Sequence, residues 1–83
     1  MVVPPGPIPL AEVPSSRKVS VQEIRGGFGQ VRRLAALGIV PGTVVTVIRN
    51  AMAGPMIVEA RQSRLALGRG VAMKILVRLE EER

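Results

Sequence analysis

Eighty-three residues, no cysteine and 47% apolar side chains allow one small domain with a single core, and exclude a disulfide framework or a thiolate metal site. The chain has no His, Tyr, Trp or Asp, so the usual bases, imidazole ligands and most stacking platforms are missing. Its net charge of +6 turns attention to anionic partners, although the 12 basic residues are spread along the chain rather than gathered in one block. No run approaches the ~18 apolar residues of a membrane span. Prolines also interrupt the N-terminus where a secretory leader would be apolar, so the chain reads as cytoplasmic.

In chain order, residues 1–9 hold four prolines and form an expected flexible, extended arm. Leu10 and Val13 are the first residues placed to reach a core, ahead of a Pro14-Ser15-Ser16 turn. Val19, Val21 and Ile24 mark the first strand, and the step from Val21 to Ile24 breaks alternation and predicts a bulge. Gly26-Gly27-Phe28-Gly29 leads into a helix. Without a following Lys-Ser/Thr pair it is no P-loop, and a tight strand-to-helix turn is the better reading. In the helix, Phe28, Val31 and Leu34/Ala35 fall on one side and Arg32, Arg33 and Ala36 on the other. Gly38 stands where the helix needs a left-handed residue to stop, and Pro41-Gly42 predicts a turn.

Residues 43–49 then form a β-branched strand, with Val45 and Val47 on one face and Val44, Thr46 and Ile48 on the other. Residues 50–55 read as a hairpin loop, and Met56, Val58 and Ala60 alternate with Ile57, Glu59 and Arg61 in a third strand. After a Gln62-Ser63 turn, residues 64–67 make a fourth strand with Leu65 and Leu67 facing one way. Val71-Ala72 forms a single helical turn. Met73, Ile75, Val77 and Leu79 alternate with Lys74, Leu76 and Arg78 in a fifth strand, followed by an acidic tail over 80–83. The expected fold is mainly β: a small closed barrel of about five strands, with one short helix inserted after the first strand. Closure would remove edges that strands this apolar would otherwise leave exposed.

Catalysis is not expected. The carboxylates Glu12, Glu23 and Glu59 are isolated, and no hydroxyl lies beside a base in sequence. No metal site or cofactor is expected either, because Met56 and Met73 at alternating positions read as core filler. A single phenylalanine, placed on the helix's apolar side, does not equip a barrel to bind nucleic acid. A binding module with a protein partner is what remains.

The residues that organise the chain carry a resemblance. The order Leu10-x-x-Val13, Val21-x-x-Ile24-x-Gly26-Gly27, Arg33-Leu34-x-x-Leu37-Gly38-Ile39-x-Pro41-Gly42-Thr43-x-Val45-x-Val47 is similar to the ferrous iron transport protein A (FeoA) family. Gly54-Pro55-Met56, Leu65-Ala66-Leu67 and Ala72-x-x-Ile75-x-Val77 continue it, so that it spans residues 10–79. The resemblance implies an SH3-like barrel whose fold-defining positions are Gly26, Gly27, Leu34, Leu37, Gly38, Pro41 and Gly42. It also implies a non-enzymatic cytoplasmic component of bacterial ferrous iron uptake, acting on a FeoB-type membrane transporter with a cytoplasmic GTPase domain. The alternatives are a detached C-terminal regulatory domain of a metal-dependent repressor and a basic nucleic-acid-binding barrel. Weak homo-oligomerisation is compatible with the reading; direct membrane insertion is not expected. For the partner surface, alternation leaves Val44, Ile57 and Leu76 outside the barrel. The expectation is that they form an apolar patch rimmed by Arg32, Arg33, Lys74 and Arg78.

Overall fold

In the computed structural model, residues 6–51 and 53–80 are described. The chain runs β1 (Ile8–Pro9), a 3₁₀ turn (Leu10–Glu12), β2 (Lys18–Ile24), α1 (Gly27–Ala36), β3 (Val44–Arg49), β4 (Met56–Ala60), β5 (Ser63–Leu67), α2 (Arg69–Ala72) and β6 (Ile75–Leu79). Among the described residues the six strands form one antiparallel sheet, in the order β1-β6-β2-β3-β4-β5.

Two differences from the sequence reading concern element count. There are six strands, not five, because Ile8 and Pro9 pair with Val77 and Leu76. The last two residues assigned to the flexible arm are thus a strand. Proline is tolerated there because β1 is an edge, where one face of the backbone needs no ladder partner. The rest of the arm expected over 1–9 lies largely outside the described residues. Second, Arg69–Ala72 makes a second short helix, whereas α1 follows the Val19–Ile24 strand, here β2, as expected. Of the acidic tail, residues 81–83 also lie outside the described residues.

Alternation puts one face of every long strand inside. Val19, Val21, Val45, Val47, Met56, Val58, Ala60, Leu67, Ile75 and Val77 are all buried, and Leu10, Val13, Leu34 and Ile39 fill in from the connections. The sheet bends at β2, where the register shifts between Val21 and Glu23, at the position where the sequence breaks its alternation. Met73, assigned to the inward set of the last strand, lies outside it. It caps α2 and is 49% exposed.

The helix-to-strand connection is built from local rules. At the end of α1 the Ile39 amide donates to the Leu34 carbonyl and the Gly38 amide to the Ala35 carbonyl, both at 2.9 Å. This pair of bonds defines a Schellman motif, and it requires the left-handed φ of 89° that Gly38 adopts. Leu34 and Ile39, which the motif brings together, are both buried. Four residues on, Gly42 takes φ 96° behind Pro41, and the Thr43 amide closes a type II turn on the Val40 carbonyl at 2.9 Å. The buried Thr43 hydroxyl accepts from the Val40 amide (3.1 Å) and donates to the Gly38 carbonyl (3.2 Å), tying the two turns together. A Cβ on Gly38 would meet Arg61 Cδ at 3.1 Å, a flexible contact, so backbone strain dominates any substitution. Gly38→Val is therefore expected to cost about 1–3 kcal/mol in urea unfolding. An unchanged midpoint would refute the Schellman assignment.

The β4–β5 hairpin turns one residue earlier than the sequence suggests. Ala60 pairs with Ser63, so Arg61 and Gln62 form the two-residue loop, at φ 52° and 70°. Both central residues with positive φ make a type I′ turn, here without the glycine that usually serves it.

Candidate partner-docking surface

Each strand that buries one face presents the other to solvent, and register decides which outward residues meet. Val44 stands opposite Ser20, and Ser20 in turn opposite Arg78. Leu76 lies between Pro9 and Glu23, and Ile57 between Arg49 and Ala66. Strand pairing does not make Val44, Ile57 and Leu76 ladder neighbours: β2 and β3 lie between the strand of Leu76 and that of Ile57. Val44 is 45% exposed, and the other two are half-buried. Alternation was sufficient to place them outside, but strand register, which alternation does not encode, decides their ladder neighbours.

The residues of the expected basic rim stand on different elements. Arg78 is on the outward face of β6, whereas Arg32 and Arg33 are exposed on α1. Lys74 sits in the turn before β6, where its carbonyl accepts from the Arg25 amide at 2.8 Å. A Cβ on Gly26, which has φ 111°, would lie 3.2 Å from Lys74 Cδ, so this glycine allows the lysine stem to pass close to the start of α1.

The helix itself departs from expectation at Phe28. Leu34 is buried and Val31 half-buried, but Phe28 is 88% exposed. Helical spacing groups Phe28 with Val31 and Leu34, whereas α1 buries only Leu34 and half-buries Gln30 and Val31. Gln30, Arg33, Leu34 and Leu37 line one side of a shallow groove of about 130 Å³; Ala66, Leu67, Gly68 and Val71 line the other. Leu37, taken from the sequence as fold-defining, is 46% exposed and stands at this groove as an apolar contact available to a partner. The groove is apolar along Leu34, Leu67 and Val71 and carries a cation at Arg33. The groove lies between α1 and the β5–α2 corner.

A polar knot behind this corner holds its elements in place. The Asn50 side-chain amide donates to the carbonyls of Val13 (2.8 Å) and Ala11 (2.9 Å), while its backbone amide donates to Ser15 Oγ (2.8 Å). Arg69, on α2, donates to Asn50 Oδ1 (2.9 Å) and to the carbonyls of Ala51 (2.8 Å) and Ala11 (3.2 Å). The β3–β4 loop, the 3₁₀ turn and α2 are thereby joined. Neither Asn50 nor Arg69 was singled out by the sequence. Their partners lie up to 58 residues away, and no local pattern announces such a bond. Among the described residues, no group of three or more carboxylates, imidazoles or thiolates converges on a point.

Comparison with known proteins adds a family. The model of the FeoA domain matches residues 8–79. A curated protein of Methanocaldococcus jannaschii named Fe(2+) transport protein A is 44% identical over 69 residues, 83% of each chain. Among solved structures, a crystal structure of an iron uptake regulatory protein, FeoA, is 31% identical, with a TM-score of 0.85 over 89% of this chain and 99% of that one. The FeoA of Stenotrophomonas maltophilia, described as a procaryotic SH3 domain protein and complexed with zinc, is 26% identical, with a TM-score of 0.71 over 82% of this chain and 86% of its own. The fold is thus SH3-like. A manganese-dependent transcriptional repressor superposes with a TM-score of 0.81 at 21% identity, over 44% of its length, which is a likeness of fold alone.

Proposed function

The chain belongs to the FeoA family, and from that premise we propose that it docks on a FeoB-type membrane iron transporter, at the transporter's cytoplasmic GTPase domain, and modulates it. Membership in the family makes it a small accessory protein of ferrous iron transport. A protein that acts without chemistry of its own acts by binding one conformation of a partner better than another. The observation that carries the reading is the groove at Leu37. A half-exposed leucine beside an apolar floor offers an anchor for a partner side chain, and Arg33 next to it can orient an acidic group on that partner. The net charge of +6 would speed the approach of an acidic surface. SH3-like shape does not by itself imply proline-rich ligands, because the aromatic-lined groove that reads them is absent among the described residues.

The test is co-purification with the transporter's isolated GTPase domain. Leu37→Asp is expected to melt within a few degrees of the parent and to weaken binding by tenfold or more. Arg32→Glu combined with Arg33→Glu should weaken binding chiefly at low salt, where charge attraction is least screened. A folded Leu37→Asp variant that binds as tightly as the parent would remove the groove from the interface.

A further inference from the structure

The start of α1 shows a feature that the groove does not use. Phe28 is 88% exposed, and its neighbours Gly27 and Gly29 have no side chains to shield the ring. The hydrogen bond from Arg25 to the Lys74 carbonyl joins this end of α1 to the turn that follows α2. Met73, 49% exposed, is therefore brought to the same end of the molecule. Along α1, Arg32 stands one turn beyond Phe28 and Ala35 almost two, on the same outward stripe, and both are exposed. This end of the molecule therefore carries three exposed cations, Arg25, Arg32 and Lys74, together with an exposed ring and a thioether. The carboxylate in this neighbourhood is Glu23, 3.2 Å from Arg25, and the next acidic residue in the sequence is Glu59, on β4.

We propose that this end of the domain is a peripheral contact with an anionic lipid bilayer. Phe28 and Met73 enter the headgroup region while Arg25, Arg32 and Lys74 pair with lipid phosphates. Aromatic rings favour the membrane–water interface, long basic side chains keep their stems in the apolar layer and their charge outside, and a one-signed surface is drawn to anionic lipid. Charge complementarity favours this occupant over neutral lipid. Apolar character favours it over a nucleic acid, which would stack one base on Phe28 and leave Met73 and Ala35 without a partner. The contact is peripheral: no helix among the described residues is long and apolar enough to cross a membrane. Its purpose rests on the transporter reading. Phe28 and Leu37 are nine residues apart, about half a turn around the α1 axis, so a chain lying on lipid through Phe28 keeps the groove open to the transporter.

The experiment is co-sedimentation of the full chain with vesicles of phosphatidylcholine alone and of phosphatidylcholine mixed with phosphatidylglycerol. Binding is expected only to the mixed vesicles and should decline with salt. Phe28→Ser should weaken it about tenfold, and Arg32→Glu with Lys74→Glu should abolish it, while both variants melt like the parent because the altered side chains are exposed. The chain has no tryptophan, so Phe28→Trp supplies a single reporter whose emission should shift to the blue on mixed vesicles. Parent chain that stays in the supernatant, or Phe28→Ser that sediments like the parent, overturns the proposal. So does Phe28-dependent binding to single-stranded RNA in place of vesicles. In lipid-free pull-downs with the GTPase domain, Phe28→Ser is expected to bind normally. Failure of the parent in that assay would count against the transporter reading and leave the lipid contact standing.

Discussion

Shortening Leu10 to alanine is expected to cost about 2–5 kcal/mol, nearly as much as any single truncation this domain can suffer. Leu10 is fully buried and opens the 3₁₀ turn, whose end is fixed by the Val13 amide donating to the Leu10 carbonyl at 3.0 Å. The turn is pinned on both sides, by β1 before it and by the Asn50 amide on Ala11 and Val13 after it, so the surroundings cannot collapse into the vacated space. A domain of this length has only about 4–12 kcal/mol of stability in total. At ~4–8 °C per kcal/mol, the melting temperature should fall by about 8 °C or more. Leu37→Ala serves as the control: a half-exposed leucine should lose about 1 kcal/mol or less. Calorimetric melts that give the two variants equal midpoints would mean that residues 8–13 are an appendage rather than part of the core.

Asn50→Leu should be the second most damaging change, at about 2–4 kcal/mol, although it keeps the number and branching of the side chain's heavy atoms. The substitution removes both donors to Ala11 and Val13 and the acceptor for Arg69, leaving the Val13 carbonyl and a guanidinium N–H without partners in a half-buried pocket and the Ala11 carbonyl with Arg69 alone. Arg69→Met tests the assignment from the other side. Because the two side chains bond each other and share the Ala11 carbonyl, the double variant should cost less than the sum of the singles, by about 0.5 kcal/mol or more in a urea-unfolding cycle. Strict additivity would mean that the knot is not a unit. Loss of the knot should also loosen α2 and with it the Val71 wall of the docking groove, so weaker partner binding should accompany the lost stability.

What the sequence made legible was what the backbone decides within a few residues. Gly38, Pro41 and Gly42 each stand where positive φ or a preset φ is needed, and the Schellman and type II turns form there without help from the rest of the chain. Alternation likewise placed Val45, Val47, Val58, Ile75 and Val77 inside and marked the β2 bulge. The errors came where distant segments meet. Helical spacing groups Phe28 with Val31 and Leu34, but at the start of α1 the ring lies beyond the sheet's cover and stays 88% exposed, while Leu34 is buried and Gln30 and Val31 half-buried. Ile8 and Pro9 lack any strand pattern of their own and become a strand only because β6 offers an edge. Val44, Ile57 and Leu76 do point outward, as alternation demands, yet their ladder neighbours follow from a register that only the assembled sheet supplies. Asn50 and Arg69 left no mark at all in the local pattern.

The position of β6 bears on how the chain comes to be folded during synthesis. Among the described strands, the last in chain order lies between β1 and β2, the first two. Strands β2 to β5 follow one another as neighbours and can pair as they appear, but until residues 75–79 arrive the outer side of β2 has no ladder and β1 has no sheet to join. A nascent chain stopped short of Ile75 therefore carries an open, valine-rich edge, the kind of surface that recruits other chains. Completion of the core waits on closure between segments far apart in the chain, β6 with β1 and β2. This non-local closure places the domain with the slower-folding small proteins, in the millisecond-to-second range, despite its length.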